Sequence, residues 1–150
     1  MFKNKDTEHQ KIEALPYGSP TQVELLPNLD VHLKIEIPEG AANPIVLRFK
    51  RCDVNGDKMD GGVGGISFYG SYESRFPNIN TAEYTLRNVS KVLIYDPTKG
   101  KDVKEFTENR KFYIMMQSGN PLTIHINIVS FVKVKAPPKK LPKKKDLEDE

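Results

Sequence analysis

LTIHINIVSFVKV, residues 122–134, alternates apolar with polar side chains: Leu122, Ile124, Ile126 and Ile128 hold one phase, and Thr123, His125 and Asn127 stand between them. Successive side chains of a strand point to opposite faces, so this pattern describes a long strand with one face in a core. β-Branched residues dominate it and neither Gly nor Pro interrupts it, which disfavours a helix. From Val129 the polar phase turns apolar as well, through Phe131. That end is expected to be covered on both faces or bulged.

The same alternation recurs upstream. Residues 23–26 form a short strand, stopped by Pro27, Asn28 and Asp30. Val31, Leu33, Ile35 and Ile37 then alternate with His32, Lys34 and Glu36, and Pro38-Glu39-Gly40 ends the run. Residues 39–43 read as a hairpin connection to the strand marked by Ile45, Leu47 and Phe49. Further strands are expected at 66–70, 84–86, 91–95 and 112–117, the last joined to the 122–134 strand as a hairpin by the turn at 118–121. Residues 102–109 pattern weakly, as one helical turn or an edge strand.

Seven or eight short strands without crossover helices predict an all-β fold, an antiparallel β-sandwich of Greek-key or jelly-roll type, ahead of a closed barrel. The folded body is expected over residues 23–134. A polar arm, 1–22, would precede it, made extended by LPYGSPT, and a tail, 135–150, would follow, Pro/Lys-rich and then acidic. A chain of 150 residues buries about 70% of its unfolded surface and needs no disulfide or metal for a core. Cys52, the one cysteine, has no partner within the chain, which suits a reducing compartment. No apolar run marks a signal peptide or a membrane span, so cytoplasmic synthesis and no membrane partner are expected.

Charge is unevenly placed. Residues 133–150 carry seven lysines and four acids, which alone account for the net +3, and the remaining basic and acidic groups cancel. A neutral body is not the footprint of a domain that grips nucleic acid across a folded face. Contact with nucleic acid is therefore expected through the tail only, by Lys139, Lys140, Lys143, Lys144 and Lys145. The acids Asp146, Glu148, Asp149 and Glu150 follow at once and would repel the same phosphates.

Asp53-Val54-Asn55-Gly56-Asp57 places oxygen ligands at alternate positions of a tight loop, as calcium requires. The run resembles the start of a dockerin-type or EF-hand calcium loop. It departs from that pattern at Lys58, where a glycine belongs, and at Gly64, where a bidentate acid belongs. Asp60 would have to substitute as a ligand. A turn stabilised by side-chain-to-backbone bonds is the simpler account of these residues, so no cofactor is expected, with calcium as the alternative. The glycine-rich 61–65 segment lacks the strand, helix and Lys-Ser/Thr of a phosphate loop. The histidines and Cys52 sit in no catalytic spacing, and a non-enzymatic protein is expected.

Tyr69, Tyr72 and Arg75 belong to the aromatic cluster SFYGSYESRF and are the candidate partner or ligand surface. Alternation also allows most of that cluster to be core. The expectation is a structural or interaction subunit of an oligomeric assembly, its partners protein subunits of that assembly and its arms lying across neighbours. A virion accessory or capsid-decorating protein is an example, assembled into a virus particle. A carbohydrate-binding β-sandwich module, using Tyr69, Tyr72 and the 53–65 loop with or without calcium, is the first alternative, and an intracellular protein with a nucleic-acid-contacting tail the second.

Overall fold

A computed structural model describes residues 12–53, 55–57 and 65–129. Among them are strands β1 (Glu13–Ala14), β2 (Thr21–Leu25), β3 (Val31–Ile37), β4 (Ile45–Cys52), β5 (Ile66–Ser71), β6 (Tyr84–Arg87), β7 (Lys91–Ile94), β8 (Arg110–Ser118) and β9 (Leu122–Ile128). They form two sheets, ordered β1-β3-β8-β5-β6 and β2-β9-β4-β7, called sheets A and B here. The fold is an all-β sandwich whose ladders are antiparallel except for β1 on β3.

β9 is flanked by β2 and β4 and buries Leu122, Ile124, Ile126 and Ile128. Each such side chain contributes about 2 kcal/mol on leaving water. β8 holds the matching place in sheet A, with Phe112, Ile114 and Met116 in the same buried cluster. β8 and β9 therefore belong to opposite sheets, and the expected hairpin between them is not formed. Nor do β3 and β4 pair, since β4 lies between β9 and β7. A two-residue period says which side of a strand is buried and is silent about which sheet the strand joins. The 118–121 turn is fastened by other means: the Ser118 hydroxyl donates to Asn120 O (2.6 Å), and the Gly119 amide donates to Gly65 O (3.2 Å).

The body begins earlier than residue 23. β1 pairs with β3, the Leu15 amide donates to Lys34 O, and Leu15 is buried. The Tyr17 hydroxyl donates to Glu36 O, and Tyr17 also bridges to Ile128 of sheet B. This segment covers the edge of β3, which would otherwise offer unpaired amides to another chain. Residues 130–134, assigned to the body from sequence, and the tail lie outside the described residues. Among the described residues no helix is long and apolar enough to cross a membrane.

The 102–109 segment is neither helix nor regular strand. It is held to the 40–43 segment by Phe106 N to Ala41 O, Gly40 N to Phe106 O and Asn43 N to Lys104 O, and Phe106 plugs that end of the core.

Candidate functional site

The most elaborate polar surface is a cleft at one end of the sandwich, built outward from Gly70. A Cβ at Gly70 would lie 2.3 Å from Cζ of Phe112, so only glycine lets that ring rest on β5. Tyr72 and Tyr84 pack edge-on against the same ring, with centroids 4.9 and 5.3 Å away. Both phenols then reach the backbone of Tyr95: the Tyr72 hydroxyl donates to its carbonyl (2.6 Å), and its amide donates to the Tyr84 hydroxyl (3.0 Å). The pair ties β5 and β6 of sheet A to the end of β7 in sheet B. Burial pushes both phenols above their ordinary pKa.

Asp96, 2% exposed, holds the wall opposite. Its carboxylate accepts from the amides of Thr98 and Lys99 (2.8 Å each) and from the amide and hydroxyl of Thr107 (3.1 Å each). Burial pushes the carboxyl up, but these hydrogen bonds outweigh it and bring the pKa to about 2. Asn43 completes the pin, accepting from the Asp96 amide and donating to Gly100 O and Val103 O. Arg110 spans the cleft floor by donating to the Thr98 hydroxyl (2.9 Å) and pairing with Glu108 (3.3 Å). The resulting cleft of about 790 Å³ presents Tyr113, Tyr95, Arg110, Glu83 and Arg75 to solvent, a set suited to a polar ligand.

Of the residues singled out from sequence, the fold brings Tyr72 and Arg75 to this cleft and leaves Tyr69 out of it. Tyr69, 6% exposed, is on the outer face of sheet A beside Met115. On the same face the 72–83 connection, which leaves β5, reaches β3 on the far side of β8, where Phe76 packs edge-on against His32 (5.0 Å). The Arg75 guanidinium lies 5.9 Å from the Phe76 ring centroid. Asp53 accepts from the amides of Asn55 (2.9 Å) and Asp57 (2.8 Å), the bonding of a turn. No group of three or more His, Cys, Asp or Glu suited to a metal occurs among the described residues. Asp60 and Lys139, Lys140, Lys143, Lys144 and Lys145 lie outside the described residues.

Sequence reasoning passed over Tyr84, Tyr95, Asp96, Tyr113 and Arg110, which converge only because β6, β7 and β8 do. The available signal was Asp96 heading the Asp-Pro-Thr-Lys-Gly turn. It also passed over the outer face of sheet B. There Arg48 stands directly opposite Lys91 in the ladder, with Asn127 on its other side, and Lys50 stands opposite His125. Arg48, Lys50 and Lys91 are exposed and form no ion pair with any described residue. Glu24, on the same face, also lacks one. Next to this basic row, Leu93 and Val129 are 37% and 43% exposed. Like charges directly opposite on a sheet destabilise it, so the arrangement has a cost that burial does not explain.

No protein-family model matches this chain, and no curated protein matches it. Among solved structures, the pre-peptidase C-terminal domain of a collagenase from Bacillus anthracis is similar in fold. The two chains share 10% sequence identity at a TM-score of 0.47, with 79% of this chain and 95% of that chain covered.

Proposed function

We propose that this chain is a non-enzymatic structural and interaction subunit that forms an oligomeric assembly, such as a virion shell, through the outer face of sheet B. The opposed cations Arg48 and Lys91, with Lys50 beside them, carry the reading. A sheet that accepts this repulsion in isolation relieves it when an acidic surface covers the face. The exposed Leu93 and Val129 add apolar area at the same place. Part of the outer face of sheet A is closed, with Tyr69 and Met115 buried and Phe76 of the 72–83 connection packed on His32, which favours sheet B as the docking side. Sedimentation velocity of the full chain over a range of concentrations tests this. Oligomers that revert to monomer in the double variant Arg48→Glu/Lys91→Glu are expected, with a buried area above about 1,000 Å². A monomer at every concentration overturns the reading.

The cleft favours a second reading, a carbohydrate-binding module, because Tyr113 and Arg110 border a concave polar surface. Binding on a glycan array that is lost in Tyr113→Ala supports it, and an array without signal removes it.

A further inference from the structure

We infer that the acidic segment 146–150 of one copy docks on the outer face of sheet B of a second copy, pairing Asp146, Glu148 and Glu150 with Arg48, Lys50 and Lys91. The inference rests on the assembly reading and names the partner surface.

Charge complementarity carries it. The face presents three exposed cations without ion-pair partners among the described residues, and the chain's densest acidic run is DLEDE at 146–150. Spacing agrees with charge. Arg48 and Lys50 are two residues apart on one strand, so they lie about 6.7 Å apart on the same face. Asp146, Glu148 and Glu150 repeat at the same two-residue interval, so an extended segment presents its carboxylates at that spacing.

A second copy is favoured over the chain's own face by what lies between. β9 delivers the chain to Val129 at the border of the basic row. Residues 130–145 then carry seven lysines, all of which a fold-back would bring over Arg48, Lys50 and Lys91, whereas docking on a second copy brings only Lys143, Lys144 and Lys145 near that row. Pro137, Pro138 and Pro142 favour extended backbone, at about 3.1 Å per residue, so a run of this length reaches about 50 Å. That carries the acids past the chain's own face to a neighbour's and leaves Lys133, Lys135, Lys139 and Lys140 between subunits.

The test mixes isotopically heavy and light full-length chains and applies a zero-length carbodiimide crosslinker, which joins a carboxylate to an amine only where the two touch. Mixed-isotope peptides linking Lys50 or Lys91 to acids of 146–150 are expected. Their yield should fall about tenfold in about 1 M salt, where the screening length is about 3 Å. Arg48→Glu/Lys91→Glu should abolish the remaining Lys50 link, and adding Asp146→Lys/Glu148→Lys should restore contact with the charges exchanged. Links confined to one isotope, or running instead to Lys34 and Lys111 of sheet A, overturn the inference. So does protection of Lys50 and Lys91 by a labelled single-stranded oligonucleotide without any tail crosslink, which assigns the face to nucleic acid. Oligomers that survive deletion of 146–150 refute this docking and leave the assembly reading standing, whereas a full chain that never oligomerises removes both.

Discussion

Gly70→Ala should destabilise the sandwich by about 3 kcal/mol, and the reason lies in one aromatic ring. The new methyl would sit 2.3 and 2.7 Å from Cζ and Cε2 of Phe112 and 3.2 Å from Cε1 of Phe68. Phe112 has little freedom to retreat. Tyr72 and Tyr84 hold its edges, and their hydroxyls are fixed on the Tyr95 backbone. Overpacking of this kind costs about 1–3 kcal/mol, and each displaced aromatic pair adds about 0.5–1.5 kcal/mol. With a urea slope of about 2 kcal/mol per molar, the unfolding midpoint should drop by about 1.5 M at unchanged slope. Phe112→Leu removes the ring and makes the cycle decisive: in that background Gly70→Ala should cost less than half as much. A Gly70→Ala chain within about 0.5 kcal/mol of the parent, or strict additivity with Phe112→Leu, refutes the claim that this ring sets the geometry of the cleft.

Other outcomes follow from single groups. Asp96→Ala should cost about 3 kcal/mol at neutral pH, because the carboxylate's hydrogen bonds to Thr98, Lys99 and Thr107 are lost together. The folded carboxyl titrates near 2 against 3.8 for an ordinary aspartate, so its contribution is present above the latter pH and is lost on descent through the former. Urea midpoints over that window should fall steeply in the parent and less so in Asp96→Ala. Burial lowers the pKa of His32 although Asp30 opposes it. The unfolded chain therefore binds the proton first, and stability should decline as pH drops below about 6.5, with a shallower slope in His32→Phe. Burial and then Asp53 raise the Cys52 thiol, so a chromogenic disulfide reagent should label it slowly at neutral pH and promptly in denaturant.

The sequence by itself determined the inner face of each strand. Leu33, Ile35 and Ile37 on β3, Leu47 and Phe49 on β4 and the isoleucines of β9 are buried in the phase their alternation requires. Period-two burial is a local property of a pleated backbone, so a single chain suffices to read it. The sheet each strand joins was decided elsewhere. β8 and β9 look like a hairpin in sequence because a short turn separates them, yet each is flanked on both sides by strands of its own sheet, β3 and β5 for β8 and β2 and β4 for β9. Tertiary structure alone turned Tyr69 from a candidate surface residue into a buried one, on a face where it lies beside Met115 of β8, far away in sequence. The cleft has the same origin: Tyr84, Tyr95 and Arg110 each occupy an ordinary position in a strand or turn and gain a common role only where the ends of the two sheets meet. Arg48 and Lys91 likewise are unremarkable singly, and it is their pairing across β4 and β7 that sets charge against charge.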